Sequence, residues 1–382
     1  MKIAVVDDNA TNLMVIEKIL QKAGYNRLVL LPSAEKLYQF LKLDAPNTAE
    51  VPVDLILMDM MMPEIDGMEA CRTILANERF EDLPIIFVTA MGDSNKMAEA
   101  MDAGALDYVM KPINKIELLA RIRSVLRLKQ EKDMRKERDR RIQYELDLAN
   151  QVQRSMLSEP FQGENVRISA VYKPSFELAG DLYAWYQMSP NRYGVIILDV
   201  MGHGISSSLV CMYIYSILKD TITGQGDPVN VMKELNRRMN QLQMPDSLIN
   251  YYSTAIYFVL DTEKQTIEYV NAGHPTGIAI VDDEVKLLSE GCCALGFFDE
   301  IEVTKGVVPY KQEARILLFT DGLSEWLEEE YDDAIPKIVS CLKEYDHDTP
   351  ESLLQHLLPR AEMLNGQKDD MCLVLLKTKV QV

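Results

Sequence analysis

Cysteine, long apolar runs and positive charge are all in short supply in this chain. Its six cysteines (71, 211, 292, 293, 341 and 372) form no CxxC pair and no disulfide-like framework, which excludes a stapled secreted domain and points to a reducing compartment. The adjacent Cys292 and Cys293 read as small buried hydrophobes. No apolar stretch is long enough to span a membrane and no signal-peptide pattern is found, so a soluble, cytoplasmic protein with no membrane partner is expected. Basic residues number 40 against 59 acidic ones, a net charge of −19. That balance lacks the footprint a nucleic-acid binder needs and favours divalent cations. Histidine and cysteine form no cluster and no HExxH motif, which argues against zinc.

What the chain does have is a set of apolar runs that end in aspartate: KIAVVDD (Asp7, Asp8), VDLILMD (Asp59), YGVIILD (Asp199) and RILLFTD (Asp321). Runs of Val, Ile and Leu read as strands buried on both faces. A carboxylate inside such a strand is costly unless paired or metal-bound, whereas at the C-terminal end it can meet solvent, metal or ligand. The runs fall into two groups far apart in sequence. Two acidic sites in two domains are therefore expected, and 382 residues are enough for both domains and a linker.

Residues 1–125 alternate KIAVV (2–6), LVLL (28–31), DLILM (54–58), PIIFVT (84–89) and DYVM (107–110) with amphipathic stretches such as NLMVIEKILQKAG, where Gly24 is a stop signal. This is an α/β doubly wound (βα)5 pattern with a parallel sheet. Residues 126–158 read as a helical linker. From Lys129 to Arg141 all but Gln130 and Met134 are charged, and then Ile142, Leu146, Ala149, Val152 and Met156 recur at spacings of four and three, until Pro160 ends the helix. The stripe suits a helix packed on one domain or a dimeric coiled coil joining two, and it lasts about two heptads. Residues 159–382 are rich in short strands, with helical patterns at GISSSLVCMYIYSILKDTIT, at VNVMKELNRRMNQL and, broken by Pro336, Pro350 and Pro359, at 332–365. An α+β domain with a two-sheet sandwich flanked by helices follows. There is no internal repeat, no helix-turn-helix candidate and no cyclase-type GGDEF signature.

In the first domain, Asp7, Asp8 and Asp59 at strand ends make a hard oxygen site suited to Mg²⁺. Thr89 follows the fourth strand and Lys111 the fifth, all at one sheet edge. A carboxylate nucleophile, a divalent cation, a hydroxyl and an ammonium suit phosphorylation of an aspartate. The ordered motifs VVDDN, LILMDMMMPEIDG, TA at 89–90 and YVMKP resemble the response-regulator receiver domain, over residues 1–125. The resemblance implies that Asp59 is the phospho-acceptor, Asp8 a Mg²⁺ ligand with Asp7 helping, and the Met61 carbonyl another ligand. Thr89 and Tyr108 would be the switch pair, and a sensor histidine kinase or phosphotransfer protein the partner.

In the second domain, Asp369 and Asp370 precede MCLVLLK, and four aspartates, Asp181, Asp199, Asp321 and Asp369, stand beside glycines or at strand ends, as ligands for hard cations do. Two Mg²⁺ or Mn²⁺ ions bridged by hydroxide would hydrolyse a phosphomonoester without a covalent intermediate. The motifs ANQVQRSMLSEP, AGDLY, LDVMGHGISSSL, NAGHP, LLFTDGLSE and KDDMCLV resemble the SpoIIE- and RsbU-like branch of the PPM serine/threonine protein phosphatases, over about residues 145–380. The resemblance implies that Asp199 bridges the metals, that the Val200 carbonyl is a ligand, that Asp321 and Asp369 complete the catalytic set, and that Asp181 is a nearby ligand. Met201 replaces a histidine that eukaryotic relatives use as an acid. His203 is either its substitute or a turn residue, and Asn271 and His274 fall in a motif without a fixed role.

The combined expectation is a response regulator, dimeric through its linker, in which a phosphorylated Asp59 controls a protein phosphatase. Its substrate would be a phosphoserine or phosphothreonine protein, by resemblance an anti-sigma-factor antagonist. The alternative is a phosphorylation-controlled adaptor with a silent phosphatase-like domain.

Overall fold

The structure, a computed structural model, describes residues 1–46, 51–90, 94–242, 251–328, 334–344, 349–358 and 369–378. The chain divides into two compact units, Met1–Ile142 and Gln143–Val382.

The first unit holds β1 (Lys2–Val6), α1 (Ala10–Lys22), β2 (Arg27–Leu31), α2 (Ala34–Leu41), β3 (Leu55–Asp59), α3 (Gly67–Leu75), β4 (Ile85–Thr89), α4 (Ser94–Asp102) and β5 (Asp107–Met110), and α5 (Lys115–Met156) begins within it. The strands form one parallel sheet in the order β2-β1-β3-β4-β5. Because side chains alternate along a strand, Ala4 and Val6 of β1 pack under α2 and α3 while Ile3 and Val5 pack under α1 and α5. Burial on both faces is why these strands read as continuous apolar runs. α1 starts where the Asn9 side chain accepts from the Thr11 amide, directly after the Asp7–Asp8 turn.

α5 is one uninterrupted helix, and the division into units falls within it. In the first unit its basic stretch is tied down: Lys132 and Lys136 both pair with Asp82, and Lys136 Nζ lies 3.3 Å from Glu81. Ile142, at the end of the first unit, is exposed; in the second, Leu146, Ala149 and Met156 are half-buried, whereas Tyr144, Leu148 and Val152 are exposed. The helix ends at Met156, ahead of Pro160.

The second unit continues with β6 (Phe161–Gln162), β7 (Val166–Lys173), β8 (Asp181–Ser189), β9 (Arg192–Val200), α6 (Ile205–Gln225), α7 (Pro228–Gln241), β10 (Ser253–Asp261), β11 (Thr266–Ala272), β12 (Gly277–Val281), β13 (Glu284–Leu288), β14 (Gly291–Cys292), β15 (Gly306–Pro309), β16 (Ala314–Phe319), α8 (Asp321–Glu328), α9 (Ala334–Glu344), α10 (Pro350–Leu357) and β17 (Met371–Thr378). One sheet runs β14-β11-β10-β9-β8 with β15 on β11, and the other runs β13-β12-β16-β17-β7-β6. Val195 and Ile197 of β9 meet Cys372, Val374 and Leu376 of β17 between the sheets. Ile196, Leu198 and Val200 pack outward under α6 and α7, and Leu373 and Leu375 pack outward under α8–α10. The result is a two-sheet sandwich with helices on both outer faces.

Some details depart from the sequence reading. Cys293 is exposed and Cys292 half-buried, so the pair is not a buried one: β14 is a two-residue edge strand, in which Cys292 packs on the core beneath α6 and α7 and after which Cys293 leaves the sheet. Pro336 does not break the helical region but sits in the first turn of α9, where a missing N–H costs nothing. Pro350 opens α10 behind a Thr349 cap. Pro359 lies outside the described residues.

Candidate functional site

At the C-terminal edge of the parallel sheet, Asp7, Asp8 and Asp59 bring carboxylate oxygens within 4.8 Å of one another, the one such trio of possible metal-holding groups among the described residues. Asp8 is exposed, whereas Asp7 and Asp59 are buried. Lys111 crosses from the end of β5 and places Nζ 2.9 Å from Asp7 Oδ2 and 2.8 Å from Asp59 Oδ2. Burial raises the Asp59 carboxyl above the usual range and the Lys111 hydrogen bond opposes it. Burial also works against the Lys111 charge, but its bonds to Asp59 and Asp7 outweigh this and raise it. The Met61 amide donates to Asp59 Oδ1 at 3.4 Å. Thr89 is buried at the end of β4, and its carbonyl accepts from the Lys111 amide at 2.7 Å. Tyr108 is half-buried, with the Arg121 guanidinium of α5 5.4 Å from its ring centre. Asn12, which the sequence reading passed over, donates to both Asp7 oxygens at 3.0 Å. It lies on the first turn of α1, within reach of the strand end.

The second site is built by strand parity. Asp199 continues the row of Val195 and Ile197, Asp181 that of Tyr183, and Asp370 that of Cys372 and Val374, so all three face between the sheets at one end of the sandwich. Asp181 and Asp199 stand directly opposite across the β8–β9 ladder. Asp321 opens α8 just beyond β16, and Asp369 precedes β17. The carboxylates feel one another strongly. Burial pushes the Asp199 carboxyl up to about 7, with Asp321 and Asp369 adding to it. Burial lifts Asp321 to about 6, again helped by Asp369. Asp181 is raised well above the usual range by burial and by Asp199, against the Thr320 hydrogen bond. Such a set is starved of positive charge, which fits hard divalent cations.

The motif glycines owe their place to close backbone approach. A Cβ on Gly180 would stand 2.8 Å from the Val200 carbonyl oxygen and 3.0 Å from that of Gly202. One on Gly322 would stand 2.1 Å from the Asp370 carbonyl oxygen. Val200 itself is fully buried and its amide donates to the Gly180 carbonyl at 3.2 Å.

Asp370 differs from its neighbours. Its Oδ1 accepts from the Ser175 amide and hydroxyl at 2.7 and 2.8 Å, and its Oδ2 from the Gly180 amide at 2.8 Å. It is an anchor for the loop that leads into Asp181. The same loop is held from α5, where the buried Gln153 side chain exchanges hydrogen bonds with the Ala179 carbonyl and amide. Other supports escaped the sequence reading as well. Thr320 Oγ1 donates to Asp181 Oδ2 at 2.8 Å and accepts from the Cys372 amide at 2.9 Å. Ser253 Oγ donates to the Asp199 carbonyl at 2.8 Å. Thr320 sits inside the FTDG motif and Gln153 inside ANQVQRSMLSEP, so their signals were present; Ser253 had none.

His274 is buried. Nδ1 lies 2.8 Å from the hydroxyl of Thr254, the cross-strand partner of Asp199, and burial lowers its basicity to about 3. Asn271 accepts from the His274 amide at 2.8 Å and donates to its carbonyl at 3.0 Å. His203 instead stacks on the exposed Phe176, ring centres 4.8 Å apart.

Two family models match separate stretches of the chain. The family model described as Stage II sporulation protein E (SpoIIE) matches residues 189–379, half of the chain, and the one described as Response regulator receiver domain matches residues 3–123. The phosphoserine phosphatase RsbP of Bacillus subtilis (strain 168) is 38% identical over 240 residues, covering 62% of this chain and 58% of RsbP. The transcriptional regulatory protein YvrH of the same organism is 36% identical over 125 residues, 33% of this chain and 48% of YvrH. The chain thus spans about half the length of these curated relatives. Among solved structures, the SiaA-PP2C domain of Pseudomonas aeruginosa superposes with a TM-score of 0.52 at 19% identity, covering 64% of this chain and 98% of that domain. No described helix is long and apolar enough to cross a membrane.

Proposed function

The chain belongs to the SpoIIE family and carries a response-regulator receiver domain ahead of it, and from that premise we propose that it is a metal-dependent serine/threonine protein phosphatase controlled by phosphorylation of Asp59. The observation that carries the reading is that burial and neighbouring aspartates raise the carboxyls of Asp181, Asp199 and Asp321 at one end of the sandwich, with Asp369 adding to the last two, although no three of them come within the 4.8 Å that gathers Asp7, Asp8 and Asp59. These four residues, with the Val200 carbonyl, would hold two Mn²⁺ or Mg²⁺ ions; Asp7, Asp8, Asp59 and the Met61 carbonyl would hold one Mg²⁺. When bound, such cations neutralise phosphoryl oxygens and, in the second site, activate a water.

The chain's own residues do the rest. In the receiver, an Asp59 oxygen attacks the incoming phosphoryl group and the donor's leaving group departs. Lys111, already bound to Asp59, offsets the added negative charge. Thr89 and Tyr108 would then act as the switch, and the Arg121 contact gives Tyr108 a direct line to α5. In the phosphatase domain, Thr320 and Ser253 hold Asp181 and the Asp199 backbone in place.

The proposed partners are a sensor histidine kinase or phosphotransfer protein and a phosphoserine or phosphothreonine protein of the anti-sigma-factor-antagonist kind. A homodimer through α5 is proposed as well, supported by the exposed Ile142, Tyr144, Leu148 and Val152. The test is release of phosphate from a phosphoseryl protein with Mn²⁺, with and without beryllofluoride. Activity that survives Asp321→Asn rejects the metal-site assignment. An active-site-intact chain that binds but releases no phosphate is an adaptor.

A further inference from the structure

An aromatic surface that the proposed chemistry does not use is tied by hydrogen bonds to the strand end that carries Asp199. Phe297 and Phe298 are 60% and 55% exposed, side by side, with ring centres 5.0 Å apart, and Tyr252 packs edge-on against Phe297 at 5.9 Å. Leaving two phenylalanines in water is unfavourable, and clustered exposed aromatics mark interaction surfaces.

This cluster is not a loose loop tip. The buried Asn236 accepts from the Gly296 amide at 2.8 Å and donates to the carbonyls of Phe298 and Asp299 at 3.0 and 3.1 Å. Gly296 takes φ +82°, a left-handed turn that suits glycine. Leu295 and Ser253 exchange backbone hydrogen bonds at 2.8 and 2.9 Å, Ser253 Oγ donates to the Asp199 carbonyl, and the Met201 amide donates to the Tyr252 carbonyl at 3.0 Å. The platform is therefore fastened to the strand end that carries Asp199.

Its charge is one-sided. Asp299, Glu300 and Glu302 follow the two phenylalanines, all exposed, and form no ion pair among the described residues. The nearby Lys305 is already engaged by Asp227 and Glu268. An occupant must bring apolar surface for the rings and positive charge for the acids.

We propose that Tyr252, Phe297 and Phe298 with Asp299, Glu300 and Glu302 form a docking platform for the phosphorylated protein substrate, seating an apolar side chain and a lysine or arginine beside the phosphoresidue. The proposal rests on the phosphatase reading. It names a substrate feature, an apolar and basic flank, that sets recognition apart from the hydrolytic step.

The test uses the full chain with Mn²⁺ and three probes: a phosphoseryl peptide with leucine and arginine flanks, the same peptide with glycine and aspartate flanks, and p-nitrophenyl phosphate. The expected preference for the first peptide is about tenfold in kcat/KM, carried by KM. Phe297→Ala/Phe298→Ala should erase that preference while p-nitrophenyl phosphate, too small to reach the platform, is turned over as before. Phe297→Tyr should keep it. Equal turnover of both peptides by the wild-type chain overturns the platform alone, as does a double variant that loses all three activities in proportion. A dimer that becomes monomeric in the double variant with its peptide preference intact assigns the surface to self-association and also overturns it. Turnover of none of the probes is a different result: it removes the phosphatase reading, and the platform with it.

Discussion

Thr320 donates its hydroxyl to Asp181 across the interior of the sandwich, 2.8 Å from one sheet to the other. The same oxygen accepts from the Cys372 amide. One side chain thus joins three strands, β8, β16 and β17, at the acidic end. Thr320→Val keeps the shape and removes the hydroxyl. A buried acceptor and a buried amide lose their partner, at a cost of about 1–3 kcal/mol each. The expected outcome is a lower melting temperature and a Mn²⁺ requirement raised by roughly 10–100-fold, as for other supports of metal ligands. Calorimetric Mn²⁺ titration and thermal denaturation check both; unchanged values dismiss the role.

The raised carboxyls predict how stability follows pH without metal. Asp199 keeps its proton to about pH 7 and Asp321 to about pH 6 in the fold, against an ordinary value of 3.8. Between those limits the folded chain binds more protons than the unfolded chain, so stability falls as pH rises. The contribution is complete below about 3.8 and lost as pH climbs through 6 and 7. In EDTA, the melting temperature of the second unit should decline from pH 4.5 to 8 by several degrees, and Asp199→Asn should flatten the slope. Mn²⁺ should abolish the decline at the upper end. A melting temperature that rises over this range contradicts the account.

Lys111 pairs with Asp7 and Asp59 at once. In Lys111→Met the trio of carboxylates keeps its repulsion and loses its ammonium. The Asp59 carboxyl should rise further, and phosphorylation by acetyl phosphate, read by mass spectrometry of the intact chain, should slow by at least about tenfold. Wild-type labelling would remove Lys111 from the reaction.

Gly180→Ala tests the close approach at AGDLY. The new methyl would press on two backbone oxygens, at 2.8 and 3.0 Å, that cannot swing aside as a side-chain tip does. The loop before Asp181 must shift, so Mn²⁺ affinity should fall together with a loss of about 1–3 kcal/mol in stability. A crystal structure of the variant with the loop unmoved speaks against it.

Much of the architecture was legible because it is written in local patterns. The first five strands lie within a residue or so of where KIAVV, LVLL, DLILM, PIIFVT and DYVM place them, since strands buried on both faces leave little else for such runs to do. The positions of Asp7, Asp8 and Asp59 at one edge follow from parallel topology alone. What the local pattern did not contain were partners set by the fold. Gln153 reads as a polar helix residue, yet it is buried and bound to Ala179, because the other side of the contact lies in a loop 26 residues on. The KDD pair gives no hint that Asp370 anchors Ser175 and Gly180, 195 and 190 residues away. Cys293 was misread because nothing in its neighbours says that the edge strand β14 ends one residue before it.

That edge has a practical use. Cys293 is the one exposed thiol of the six; Cys292 is half-covered and the other four are buried. A maleimide fluorophore should therefore label the unmodified chain at a single position. Cys293 stands three residues from the turn at Gly296 that presents the phenylalanine pair. Emission from such a dye would follow events at that surface as they happen, with the natural sequence left intact.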